Sequence, residues 1–154
     1  LGTLMIAGDG PLRQVLEAQA AQHGNSVRFL GSLDRAEALD LLLNARYLVN
    51  PSKAFETFGL SVVEAFAHGV PAVVPNQGVF PELVREDENG FTFQPGNPRS
   101  LRAALHKIND RGVSLRTGEA ARQDYLSHFT PASNLTALET IYHEVIGKTP
   151  APPA

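Results

Sequence analysis

Glu56-Thr57-Phe58-Gly59-Leu60-Ser61-Val62-Val63-Glu64 sets a carboxylate at each end of a short, otherwise uncharged stretch. From Thr57 to Pro81, Glu64 is the only side chain among Asp, Glu, Lys and Arg. Ahead of the stretch, Ala45-Arg46-Tyr47-Leu48-Val49-Asn50-Pro51-Ser52 reads as a short buried strand running into a loop. Residues 60–68 are apolar nearly all round, the pattern of a buried helix. A strand, a polar loop and a helix opening at Gly59 put backbone N–H groups at a helix N-terminus, which is a ready anion site. Desolvating a lone carboxylate is costly. Glu64 is therefore expected to face a cavity or polar ligand, or else to cap a loop or pair with a distant arginine. Glu56, in the loop, reads by itself as an ordinary solvated carboxylate.

Working outward, residues 3–7 form a short apolar strand, and Gly8-Asp9-Gly10-Pro11 is a tight turn with proline placed at a helix start. Leu12, Val15, Leu16 and Ala20 recur at helical spacing to about residue 22, where His23-Gly24-Asn25 stops the helix. Residues 27–30 form a second strand ended by Gly31. Ser32 or Asp34 caps the next helix, which carries Ala38, Leu41, Leu42 and Ala45 inward. Residues 47–50 are the third strand and 70–74 the fourth; 81–84 is a helical turn, and Asn89-Gly90 leads into a fifth strand at 91–94. Helices are expected at about 99–109, 113–127 and 133–146, with Leu101, Ala104, Leu105 and Ile108 as a core stripe.

Short apolar strands alternating with helices predict an α/β fold, a Rossmann-like, doubly wound parallel sheet covered on both faces, closed by a helical C-terminal segment. Ligands in such sheets bind beyond the carboxyl ends of the strands. The glycine-bearing loops after strands one, three and four, at Gly8, at Glu56 to Gly59 and at Gly78, would open at that one end.

Composition narrows the function. The chain has 154 residues, 43% hydrophobic and 19% charged, which suits one ordinary globular domain. The formal net charge of −3 gives no basic footprint for nucleic acid. Without cysteine there is no disulfide framework and no thiolate ligand or nucleophile, and the five histidines form no H-x-x-x-H pair, so no metal is expected. No apolar run has the length of a membrane span. The domain is expected over residues 1–147, with 148–154 a flexible Pro/Ala tail; Leu1-Gly2-Thr3-Leu4-Met5-Ile6 is already strand-like, as in a piece of something longer.

Several chemistries lack their residues. Gly8-Asp9-Gly10-Pro11 has neither the third glycine nor the spacing of a dinucleotide fingerprint. There is no G-x-x-x-x-G-K-[ST] phosphate loop and no G-x-S-x-G elbow. The loop at 76–82 has two readings: Gly78 and the following amides approach a ligand, or Glu82 simply starts a short helix where negative charge suits the dipole.

Taken together, these segments resemble the C-terminal, donor-binding half of retaining GT-B glycosyltransferases of the glycogen-synthase and sucrose-synthase-like superfamily. The resemblance runs in order through Leu4-Met5-Ile6-Ala7-Gly8-Asp9-Gly10-Pro11, Val27-Arg28-Phe29-Leu30-Gly31, Pro51-Ser52, Glu56-Thr57-Phe58-Gly59-Leu60, Glu64-Ala65-Phe66-Ala67-His68-Gly69-Val70-Pro71, the Gly78 to Glu82 loop and Pro95-Gly96-Asn97. It implies a catalytic place for Glu56, accepting hydrogen bonds from donor-sugar hydroxyls, and a ribose contact for Glu64. It also implies that the amides of Phe58, Gly59 and Leu60 hold the donor phosphates, that Gly8 lines the nucleotide site, and that Gly31 borders the base and Gly78 the sugar. The partners implied are a UDP-, GDP- or ADP-sugar and an N-terminal acceptor-binding domain; no cofactor or metal ion is implied, and the setting is cytoplasmic. Two departures stand out: three residues separate Ser52 from Glu56 where two are common, and Val79 stands where a second glycine is frequent. The arginine and lysine that usually neutralise the diphosphate fall upstream of Leu1 in that family. The alternative from another class is a nucleotide-binding or interaction module of the same fold.

Overall fold

The computed structural model of the chain describes residues 2–147, so the expected Pro/Ala tail at 148–154 lies outside the described residues. The chain divides into two compact units, Leu1–Ala45 and Arg46–Ala154. It is an α/β protein built of parallel strand pairs. The expected strands are all present among the described residues, two of them paired in the first unit and three in the second. Apolar runs locate strands; they do not say which strands share hydrogen bonds.

In the first unit, β1 (Leu4–Ala7) pairs in parallel with β2 (Val27–Gly31). Between them runs α1 (Arg13–Ala20), which tightens into a 3₁₀ turn over Ala21–Ser26, with Gly24 in the left-handed region as the chain reverses. Helix α2 (Arg35–Leu43) begins at Asp34, which resolves the cap left open between Ser32 and Asp34. The Asp34 side chain accepts from the Glu37 N–H, and the Glu37 carboxylate accepts from the Asp34 N–H, each at 2.9 Å. The inward stripe expected on α2 needs one correction: Ala38 is exposed, and Leu39 joins Leu41, Leu42 and Ala45 among the half-buried positions. The α1 stripe is also uncovered, since Leu12, Val15 and Leu16 are exposed. A two-stranded sheet offers too little surface to cover an amphipathic helix.

The second unit has the expected doubly wound layering. Its sheet has the order β3 (Leu48–Val49), β4 (Ala72–Pro75), β5 (Gly90–Phe93), all parallel. β4 is buried along its whole length, which is why Ala72-Val73-Val74-Pro75 carries no polar residue. On one face, α3 (Leu60–Ala67) and α4 (Phe80–Leu83) place Val62, Phe66, Phe80 and Leu83 against Ala72 and Val74. Ala121, from α6 (Arg111–Asp124), completes that layer. On the other face, α5 (Pro98–Ile108) sets Ala104 and Ile108 on Val73, Phe91 and Phe93, with Leu101 and Leu105 packed alongside, so the expected core stripe is core. The helix expected over 113–127 ends at Asp124 and gives way to a π-helical turn, Tyr125–Phe129, before α7 (Pro131–Gly147). Tyr125 and Phe129 pack on the first core layer from that turn.

Candidate functional site

Helix α3 is the centre of the second unit's site. Gly59 is its N-cap, in the left-handed conformation at φ 76°, and a Cβ there would come within 2.9 Å of the Leu83 side chain. Only glycine meets both conditions without strain. The first helical bonds run from the Val62 and Val63 N–H groups to the Gly59 carbonyl, at 2.9 and 3.2 Å. The amides of Leu60 and Ser61 precede them and have no acceptor inside the helix. They carry the positive end of the helix dipole at the carboxyl side of β3.

The helix is not buried all round, contrary to the pattern of residues 60–68. Val62, Val63, Ala65 and Phe66 are buried, while Leu60 and Ser61 are exposed and Glu64 is half-buried. Glu64 follows Leu60 by four residues and so shares its stripe. The open stripe spares the Glu64 carboxylate full desolvation. Apolar composition masked this, because Leu60 is a hydrophobic residue facing outward.

The loop before α3 is tied to the loop after β4. The Val79 N–H donates to the Glu56 carbonyl at 3.3 Å, and the Gln77 side-chain amide donates to the carbonyls of Ser52 and Ala54, each at 3.4 Å. Gly78 lies flat on this loop with φ 59°; a Cβ would stand 3.0 Å from the Glu56 carbonyl oxygen. Glu56 and Gly78, named separately from the sequence, are therefore neighbours. Phe58 is exposed between Glu56 and the helix start, and Glu82 is exposed in the first turn of α4, as the helix-start reading had it. Gln77 carried no sequence signal; its role comes from carbonyls 23 and 25 residues away.

In the first unit, the other two glycines also meet. The Gly8 N–H donates to the Gly31 carbonyl at 2.7 Å, joining the ends of β1 and β2. Beside them Arg13, which sequence reasoning passed over, bonds Asp9 at 3.0 Å and Glu17 at 2.8 Å. Its Nη1 would be 3.0 Å from a Cβ at Gly31. The Gly10 N–H, and after it the Arg13 guanidinium, hold the Asp9 carboxyl below the usual carboxylate range. The spacing of Asp9, Arg13 and Glu17 by fours was the available signal.

At its far end α3 is fastened to α6. Arg122 donates to the Ala67 carbonyl, and its guanidinium lies 5.4 Å from the centre of the Tyr125 ring. Asn89, expected only as a turn residue, is fully buried. Its side chain accepts from the Arg85 N–H at 2.8 Å and donates to the Leu83 carbonyl at 2.9 Å and to Asp124 at 2.6 Å. Arg85 bonds Asp124 and Glu88 in turn.

Fold and site together define a Rossmann-like α/β protein whose helix N-terminus, flanked by carboxylates, lies at the carboxyl ends of parallel strands. The sequence pattern of the family "Glycosyl transferases group 1" matches residues 3–124. The chain belongs to that family, and its fold is that of the C-terminal half of a GT-B glycosyltransferase. Glycogen synthase of Mycobacterium tuberculosis is 37% identical over 143 residues, covering 91% of this chain and 34% of the enzyme. The chain thus spans about a third of the length of the curated relatives it matches. Among solved structures, Anabaena HepE in complex with UDP and glucose superposes with a TM-score of 0.77 at 28% identity, over 92% of this chain and 40% of that one. A glycosyltransferase from Rickettsia africae gives a TM-score of 0.81 at 19% identity, over 97% of this chain and 41% of that one; at that identity it speaks for the fold alone. Among the described residues, no helix is long and apolar enough to cross a membrane.

Proposed function

We propose that this chain is the donor nucleotide-sugar-binding domain of a retaining, metal-independent glycosyltransferase, which moves a sugar from a UDP-, GDP- or ADP-sugar to an acceptor in the cytoplasm. The observation that carries the reading is the start of α3. The Leu60 and Ser61 amides lack intrahelical acceptors, and the half-buried Glu56 and Glu64 stand before and after them in the chain. The Phe58, Gly59 and Leu60 amides take the donor diphosphate, where the helix dipole favours negative charge. Glu64, on the open stripe, accepts from the ribose hydroxyls. Glu56 accepts from the sugar hydroxyls, and the Gly78 loop, packed on the Glu56 backbone, lies along the sugar. As the glycosidic bond breaks, charge grows on the diphosphate, and fixed amides stabilise it without reorganising. The acceptor attacks on the face the diphosphate leaves, and the diphosphate oxygen helps take its proton. Acceptor binding belongs to an N-terminal domain, and residues 1–154 by themselves bind nucleotide and turn over little.

Calorimetric titration with UDP, GDP and ADP, repeated on Glu64→Ala, tests this. One nucleotide should bind, and the substitution should weaken it by about 1–3 kcal/mol. Unchanged affinity in Glu64→Ala would remove the ribose role.

A further inference from the structure

Phe55 stands apart from the other large hydrophobic side chains. It is 78% exposed, more than any other exposed large hydrophobic among the described residues. The loop that carries it is nevertheless well tied. The Ser52 N–H donates to Asn50 Oδ1 at 3.0 Å, and the Ala54 N–H donates to Ser52 Oγ at 3.1 Å. Gln77 clamps the carbonyls of Ser52 and Ala54, and Val79 holds the carbonyl of Glu56. Both neighbours of Phe55 are thus anchored while its ring faces water. One edge of the ring touches the second loop: Cδ1 would be 3.6 Å from a Cβ at Gly78. Phe58 and Leu60, at 52% and 66% exposure, follow Phe55 and Glu56 along the chain to the helix start.

An aromatic ring, a carboxylate and an anion-binding helix start, in adjacent positions, match an amphipathic ligand with one charged end. A pyranose joined to a diphosphate has that character. Its hydroxyls form a polar rim and its C–H bonds form apolar faces. Aromatic side chains recognise such faces while a few polar groups fix orientation. We propose that Phe55 takes the C–H face of the donor's sugar ring while Glu56 accepts from its hydroxyl rim, so that Phe55 sets sugar selectivity. This rests on reading the Glu56 to Gly59 segment as the donor site. A ring whose hydroxyls are all equatorial, such as glucose, offers a flat apolar face. An axial hydroxyl, as in galactose, puts an oxygen on one face and leaves the other wholly C–H, so an aromatic ring distinguishes the two sugars by the face it meets.

The test compares matched pairs on the full-length protein: UDP with UDP-glucose and UDP-galactose, and the same pairs built on GDP and ADP. Phe55→Ala should weaken the nucleotide-sugar that the wild type prefers about tenfold, leave the bare diphosphate unchanged and bring the glucose and galactose forms toward equal affinity. Phe55→Tyr, which keeps the aromatic face, should retain wild-type selectivity. Equal loss for sugar-nucleotide and bare diphosphate would make Phe55 a loop-shaping residue and overturn the proposal, as would no loss at all. A change confined to the acceptor's KM would overturn it too, by assigning the ring to the acceptor. If wild-type protein binds no nucleoside diphosphate, the donor-site reading itself fails and this proposal with it. Binding of the diphosphate without any effect of Phe55 leaves the donor site standing.

Discussion

Leu1–Ala45 and Arg46–Ala154 are written in the same alphabet of apolar strands, glycine-bearing loops and amphipathic helices, yet they differ in what covers their apolar faces. In the first unit, no hydrophobic side chain among the described residues is buried, and Leu4, Met5, Leu12, Val15, Leu16 and Leu30 are exposed. In the second, β4 lies between two strands with a packed layer on each face. Periodicity states which residues share a face; whether anything lies against that face depends on the number of strands and helices that come together. The candidate residues of the two units differ in the same way. Gly8, Gly31 and Arg13 form a small polar junction between two strand ends, whereas Glu56, Gly59 and Gly78 rest on a packed sheet-and-helix base.

The largest test of this contrast is a matched pair of truncations. Phe66→Ala, at a position with no exposure, should cost about 3–5 kcal/mol in urea unfolding followed by circular dichroism. Leu16→Ala, at 43% exposure in the first unit, should cost about 0.5 kcal/mol or less. Comparable losses would mean that α1 is covered in solution, and the contrast would fall.

A smaller effect is expected at the buried polar centre of the second unit. Asn89→Ala removes two donated bonds and one accepted bond, leaving the Leu83 carbonyl and the Arg85 N–H without that partner. A loss of about 1–3 kcal/mol is expected by the same unfolding measurement. The exposed Asp9–Arg13–Glu17 cluster offers the first unit's counterpart, and Arg13→Met should leave the unfolding midpoint unmoved.

The smallest effect lies in the pH dependence of two exposed carboxyls. Arg85 is the main cause of the lowered Glu88 value, whereas at Asp9 the Gly10 N–H comes first and Arg13 second. Both groups sit below their ordinary values, so their contribution is present at neutral pH and disappears as pH falls through the lowered folded-state values. Carboxyl NMR titration should return Glu88 to the ordinary range in Arg85→Met, while Asp9 stays partly lowered in Arg13→Met. Full recovery of Asp9 would show that Arg13, not the backbone, controls it.

Much of this was legible in the sequence. Short apolar runs located the strands, Gly59 ahead of an apolar stretch marked the start of α3, and Asn89-Gly90 marked the turn into β5. These are local properties, set by side-chain pattern and backbone preference within a few residues. Gly8 and Gly78 were marked as glycine-bearing loops at strand ends, whereas the particular roles given to them, and any role for Gly31, came from a resemblance of ordered motifs. Tertiary structure alone decided the rest. It set which strands pair within each unit, laid Gly78 on the Glu56 carbonyl, left Leu60 exposed and Glu64 half-buried on α3, buried Asn89 against Asp124 and left the Phe55 ring in water. Each of these depends on residues far apart in the chain finding one another, and hydrogen bonds and packing between distant segments leave no period in the sequence that joins them.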